Sequence, residues 1–289
     1  MKPILSLLAL AIFLGPHSAH ADDYPRDNML VEVAAAAKTK KYLILDARSR
    51  EQYEAGHIPG AVFVNHANWS KIFATEQDAG EWGARIGSLG ITPTTPILVY
   101  DDALQKDAAR IWWILRTFGT KDVRLLNGGW TAWTAANLPT SKDAPQVIAV
   151  DFQTAIDLNR FADKQKVFEV IKEKTAQLVD ARSEKEYCGD TFLAKKAGSI
   201  PGAVHLEWSD ALDTTTQKFK TAGELTALLK QAGIDVKRRT VTHCQSGGRA
   251  AVMAFTLELM GADAVANYYR GWSEWGNLDD TPIATPKKK

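Results

Sequence analysis

Leu43-Ile44-Leu45-Asp46-Ala47-Arg48-Ser49 is answered later in the chain by Gln177-Leu178-Val179-Asp180-Ala181-Arg182-Ser183. A short apolar run closed by Asp-Ala-Arg-Ser reads as a buried strand entering a turn, and here the reading applies twice. Working outward, Gly56-His57-Ile58-Pro59-Gly60-Ala61 is matched by Gly198-Ser199-Ile200-Pro201-Gly202-Ala203. Asn127-Gly128-Gly129-Trp130, followed by Trp133, is matched by Tyr269-Arg270-Gly271-Trp272, followed by Trp275. Three matched segments in the same order make the chain a tandem duplication. The halves fall at 22–145 and 162–289, with a polar linker over 146–161.

Each half alternates β-rich runs with helical stretches. Pro96-Ile97-Leu98-Val99-Tyr100 precedes a helix from Ala108 to Phe118, which leads into Val123-Arg124-Leu125-Leu126. In the second half, Thr240-Val241-Thr242-His243 precedes a helix from Arg249 to Met260. This order predicts an α/β fold of two tandem domains, each a mainly parallel sheet flanked by helices. In such sheets functional groups gather at strand-to-helix turns. The Gly-Trp-x-x-Trp and Ile-Pro-Gly-Ala segments are read as packing and turn architecture.

The beginning of the chain has the layout of a signal peptide over residues 1–21: Lys2, the apolar run Ile4 to Leu14, then Ala19-His20-Ala21. The run is too short to span a bilayer, and no cysteine stands nearby to accept a lipid. The expectation is cleavage after Ala21 and a soluble, periplasmic or secreted chain with no membrane attachment afterwards. The formal charge is +1 overall, and loss of Lys2 brings it to neutrality. Neither a nucleic-acid footprint nor a polybasic membrane patch follows from that balance. Lys287-Lys288-Lys289 reads as a solvated tail. Two cysteines, Cys188 and Cys244, are too few to organise a disulfide scaffold.

His243-Cys244-Gln245-Ser246-Gly247-Gly248-Arg249-Ala250 stands where a strand ends and a helix begins. Small residues let the backbone curl with its N–H groups toward the cysteine, and such a nest at a helix N-terminus binds anions. The same field favours a thiolate over a thiol. Arg249 adds a planar donor fork suited to oxyanions. A thiolate in a bowl of amides, in a surface-facing turn, can attack a sulfane sulfur and hold the outer sulfur of the resulting persulfide; no metal or organic cofactor is needed. His57, His66 and His205 are scattered near turns and form no spaced metal set. His243 stands beside the cysteine, either tuning it or packed in the strand.

Asp-Ala-Arg, His-Ile-Pro-Gly-Ala, Cys-x-x-Gly-x-Arg and Gly-Gly-Trp, in this order and repeated, resemble the rhodanese family in its tandem form. The resemblance implies two similar domains, of which only the second carries an active cysteine. It implies sulfur transfer from thiosulfate or a related small anionic donor to a thiol or cyanide acceptor. It further implies that Cys244 is the nucleophile, that Gln245, Ser246, Gly247, Gly248 and Arg249 form its substrate-binding loop, and that Asp180 and Arg182 support it. Many thiosulfate-using members have an arginine before the tyrosine of the second-domain motif, where this chain has Glu186 before Tyr187. Several place a lysine at the position of Ser246. Glu186 is therefore expected to face the donor's approach path, with Lys195 or Lys196 as candidates for the missing charge. In the first half the position matching Cys244 is Asp101, next to Asp102, so that half is expected to shape the cleft without holding sulfur.

Two other readings stay open. A non-catalytic exported module that binds a partner or senses redox state would carry the same cysteine, with Cys188 as a possible redox neighbour. A cysteine-dependent phosphatase needs its arginine six positions after the cysteine, and that position here is Ala250.

Overall fold

The computed structural model describes residues 23–287. The expected signal peptide lies outside the described residues. The first domain contains β1 (Leu30–Val31), α1 (Val33–Ala36), β2 (Leu43–Asp46), α2 (Arg50–Ala55), β3 (Val62–Phe63), α3 (His66–Thr75) and α4 (Ala79–Gly87). It continues with β4 (Ile97–Tyr100), α5 (Lys106–Thr117), β5 (Val123–Leu126) and α6 (Gly129–Ala135). The second contains α7 (Lys164–Glu173), β6 (Gln177–Asp180), α8 (Glu184–Cys188), β7 (Ala203–His205) and α9 (Ala222–Ala232). It ends with β8 (Thr240–His243), α10 (Gly248–Leu259), β9 (Val265–Tyr268) and α11 (Gly271–Trp275).

The sheets run β1-β5-β4-β2-β3 and β7-β6-β8-β9, and every pairing between named strands is parallel. All residues of β4 and β8 are buried, as expected when helices cover both faces of a parallel sheet. Both copies place Asp-Ala-Arg at the carboxyl end of a central strand. There Arg182 clamps Asp180 through Nε (2.9 Å) and Nη2 (2.6 Å), and Nη2 also donates to Gly198 O at 2.8 Å. Arg48 treats Asp46 and Gly56 O the same way. Trp272 and Trp130 lie 4.3 Å and 4.0 Å from these guanidinium groups, so the repeated Gly-Trp segment closes over the arginine. Since only one copy has the cysteine, this assembly belongs to the fold.

The domains meet along α5 and α10. Trp112 packs edge-on against Phe255 at 5.0 Å, and one apolar core runs through both halves. Arg160 is tied to Glu258 at 2.9 Å and lies 4.2 Å from the Trp113 ring. The segment expected to link the halves is laid along the first one: Val150 N donates to Gly87 O, and Ala155 N to Phe118 O. A side chain on Gly87 would stand 2.1 Å from Val150 O, which explains the glycine there. This continuous packing fixes the cleft in which the cysteine turn sits.

Candidate active site

Cys244 leaves β8 at its carboxyl end, and α10 begins four residues later. Gly247 makes the turn with φ +83°, and any side chain there would strike the Tyr269 ring; Asn267 Nδ2 takes its carbonyl at 3.1 Å. Gly247 therefore shapes the turn, and among the expected loop residues it alone does not reach the pocket wall. Gly248 is required for a different reason: a Cβ would lie 2.3 Å from Arg110 Nη2. On the other side, Trp272 N and Ser273 N donate to the carbonyls of Cys244 (2.8 Å) and Gln245 (3.0 Å).

Cys244 is only 1% exposed. The surface-facing turn expected from the sequence is instead the floor of a pocket of about 630 Å³. Its wall includes Lys106 and Arg110 from the first domain, and Glu186, Phe192, Trp208 and Arg249 from the second. Larger depressions elsewhere have no cysteine in their linings.

The sequence expectation for Arg249 and Glu186 needs correction. The two are partners: Arg249 Nη1 and Nη2 donate to Glu186 Oε2 and Oε1 at 2.6 and 2.9 Å. Arg249 also faces Cys244. Burial opposes its charge, but Glu186 and Cys244 outweigh this and raise its pKa. Burial likewise opposes ionisation of Glu186, and the hydrogen bonds from Arg249 and Ser183 reverse that, lowering its pKa. Glu186 is thus neither a bare charge across the approach path nor a partner of Lys195 or Lys196. Lys196 Nζ donates to Thr281 O at 2.8 Å, Lys195 N to Asn277 Oδ1, and neither lines the pocket. Glu186 has a second task as the third residue of a capping box with Ser183 on α8. Ser183-x-x-Glu186 is a sequence signature of that box. That signature could have placed Glu186 at a helix start.

Arg110 is what sequence reasoning missed. Nearly buried, it donates through Nη1 to Ser246 O (2.8 Å), Tyr269 Oη (2.7 Å) and Ser70 Oγ (2.6 Å), so the first domain fastens the cysteine loop directly. Burial disfavours its charge, but Tyr269, Asp107 and Cys244 raise its pKa above the ordinary value. The first domain therefore supplies wall residues to the pocket as well as its shape.

Asp180 and Arg182 are buried and do not line the pocket, in keeping with a supporting place. His243 is fully buried with Nε2 3.6 Å from Asp180 Oδ2; burial pushes its pKa down to about 4 against the pull of Asp180. It is a neutral strand residue at working pH. His57 Nδ1 and His205 Nε2 donate to the backbone carbonyls of Tyr53 and Arg182. Cys188 is buried at the end of α8.

In the first domain, Asp101 occupies the place of Cys244: Trp130 N donates to its carbonyl, as Trp272 N does for Cys244. Its carboxylate accepts four backbone N–H groups, from Ala103 (3.1 Å), Gln105 (3.0 Å), Asp107 (2.7 Å) and Ala108 (2.8 Å). Burial and Asp107 raise its pKa to about 6 while these amides pull it down, so it is ionised at neutral pH. The nest is there, and it holds its own anion.

A rhodanese-like domain model matches residues 29–136 and again residues 164–278. The chain belongs to the rhodanese family. Relatives of this rhodanese include the thiosulfate sulfurtransferase of Azotobacter vinelandii, 30% identical over 269 residues, covering 91% of this chain and 99% of the relative. The sulfur carrier protein TtuD of Thermus thermophilus is 34% identical over 247 residues, covering 80% and 86%. Among solved structures, the 3-mercaptopyruvate sulfotransferase SseA of Escherichia coli is similar with a TM-score of 0.74 at 26% identity, over 85% of this chain and 99% of that one.

Proposed function

We propose that this rhodanese is a sulfurtransferase in which Cys244 carries sulfane sulfur as a persulfide. One observation carries the reading: the only cysteine lining the pocket lies at its floor, ahead of a helix N-terminus and facing a guanidinium. The helix end and Arg249 stabilise negative charge on the sulfur. In the first half-reaction the Cys244 thiolate attacks the sulfane sulfur of a small anionic donor. With thiosulfate, an S–S bond to Cys244 forms, the donor's S–S bond breaks, and sulfite leaves with the electron pair. A thiol or cyanide acceptor then attacks the outer sulfur, and the Cys244 thiolate is released. No step needs a metal or organic cofactor. The related proteins, named for thiosulfate, 3-mercaptopyruvate or sulfur carriage, support the reaction class. A phosphatase reading has no support from the site, because Ala250 stands buried where its arginine is needed.

Intact mass after incubation with thiosulfate or 3-mercaptopyruvate tests the reading. The wild type is expected to gain one sulfur and Cys244→Ser none; a wild type that gains none from any donor and releases no sulfite is instead a binding or redox-sensing module. We also propose export to the periplasm or exterior, on Lys2, the apolar run and Ala19-His20-Ala21. Cell fractionation with N-terminal sequencing of the mature chain, expected to start at Asp22, checks it.

A further inference from the structure

We propose that Lys106, from the first domain, is the charge that recognises the anionic part of the sulfur donor. The inference rests on the sulfurtransferase reading above. The pocket wall carries three cations, and two are committed. Arg249 is held in a two-pronged pair by Glu186. Arg110 is fixed in place, with Nη1 on Ser246 O, Tyr269 Oη and Ser70 Oγ, Nε buried without a hydrogen-bond partner and Nη2 packed against Gly248, so it cannot move to meet a donor.

Lys106 is different in each respect. It is the first residue of α5, and its side chain is 36% exposed. Its nearest acidic neighbour, Asp107 Oδ2, is 3.8 Å from Nζ, beyond hydrogen-bonding distance. That carboxylate is shared with His66 Nε2 at 3.7 Å and Arg110 Nε at 3.9 Å, so it neutralises no single partner. An ammonium on a flexible stem with unspent donors, standing across the cleft from Cys244, can close on a donor's oxyanion and release it again.

The sequence shows why the charge is needed there. The second domain places Glu186 and Ser246 at this site, Lys196 Nζ is bound to Thr281 O and neither Lys195 nor Lys196 lines the pocket, so the first domain is the remaining source of a mobile cation. Tethered at the start of α5 by the Asp101 nest, Lys106 is positioned by the very loop that holds no sulfur. Specificity for an anionic donor is then a property of the domain pair.

Two measurements separate this proposal from the function it rests on. Thiosulfate binding is measured calorimetrically in Cys244→Ser, which cannot turn over, with and without Lys106→Ala; steady-state sulfite release is measured in Lys106→Ala and Lys106→Arg with Cys244 intact. Lys106→Ala is expected to weaken thiosulfate binding and raise KM about tenfold at low salt, with the difference shrinking as ionic strength rises. Lys106→Arg should restore most of it, and kcat should change less than KM. Binding and KM within about twofold of the parent at low salt overturn the assignment of Lys106. Lys106-dependent binding in a protein whose Cys244 never gains sulfur would leave Lys106 as an anion-binding residue and overturn the sulfurtransferase reading alone.

Discussion

After β4 the chain runs from Asp101 to Gln105 before α5 begins, and after β8 it runs from Cys244 to Gly247 before α10 begins. Both turns end in a left-handed residue, Gln105 in one and Gly247 in the other, and the first presents backbone amides to the residue that leaves the strand. In the first, the extra residue lets Asp101 fold its carboxylate into the amides and satisfy four of them. In the second, a sulfur stands there and faces Arg249 in the pocket. Other matched positions diverge around the same point: Asp107 against Arg249, Gln52 against Glu186, Tyr100 against His243. Those that stay the same, Asp-Ala-Arg and the tryptophan over it, are fold. The duplication thus separates the two roles: what both copies share serves the fold, and the first copy's own part in the site comes from α5, through Lys106 and Arg110.

Making the second turn like the first is the harshest test. Cys244→Asp should fold with some loss of stability, because its turn is one residue shorter than the one that holds Asp101, while sulfur transfer falls by at least about a thousandfold for want of a nucleophile. Circular dichroism and sulfite release check the two halves of that statement. Retained turnover would remove Cys244 from the mechanism.

Emptying the first turn reverses the expectation. Asp101→Ala leaves four amides at the start of α5 without their acceptor, and buried unsatisfied groups cost about 1–3 kcal/mol each before relaxation and water entry. A net loss of about 3 kcal/mol is expected, seen in denaturant unfolding. Well below the melting point kcat should change far less, with any loss falling on KM for thiosulfate as Lys106 loses its tether. A variant as stable as the parent would mean that water replaces the carboxylate at no cost.

His243 and Tyr100 differ in their response to acid. The Tyr100 hydroxyl donates to Asp46, whereas His243 is held neutral with a pKa of about 4. Its ordinary value is 6.5, so between these two values the unfolded chain takes up a proton that the folded protein refuses. The His243 contribution is therefore complete above about pH 6.5 and is lost as pH drops toward 4, about 3 kcal/mol in all, while the raised pKa of Asp101 works with the opposite sign below about pH 6. His243→Tyr, which imports the first copy's residue, should flatten that limb of the stability profile. An unchanged slope would assign the acid sensitivity to other groups.

Much of this architecture was open to reading in the chain. The repeat, the strand ends at Asp46 and Asp180, and the strand-to-helix placement of Cys244 all rest on local pattern, and local pattern survives folding. The pairing of Arg249 with Glu186 did not, because it joins the first turns of two helices far apart in sequence and either charge alone is compatible with facing the donor. Arg110 and Lys106 were hidden for a stronger reason. They line the site only because α5 and α10 pack against each other, and nothing in Lys106 to Arg110 announces which face of that helix meets the second domain. Asp101 was read only as the residue in the place of the cysteine; that it is itself the anion its amides bind required the geometry of the turn.

Glu186 and Gln52 offer the mildest test and a revised expectation. Both are third residues of capping boxes, with Ser183 and Ser49, so Gln52 shows that an amide serves this helix start. Glu186→Gln should accordingly leave stability near that of the parent, since one charge-free acceptor remains for the Ser183 N–H. What it removes is half of the Arg249 pair, and a partly buried guanidinium released from its carboxylate gives the pocket one more positive charge toward an anionic donor. Solvent and salt screen a site this open, so the gain is about 1 kcal/mol, or a fall in KM for thiosulfate of about fivefold at low ionic strength. A donor without charge near its sulfane sulfur should be indifferent. The opposite result, a higher KM for thiosulfate in Glu186→Gln, would show that Glu186 acts by aiming Arg249 at the sulfur, and that the second copy needs its ion pair for geometry more than it suffers from the negative charge.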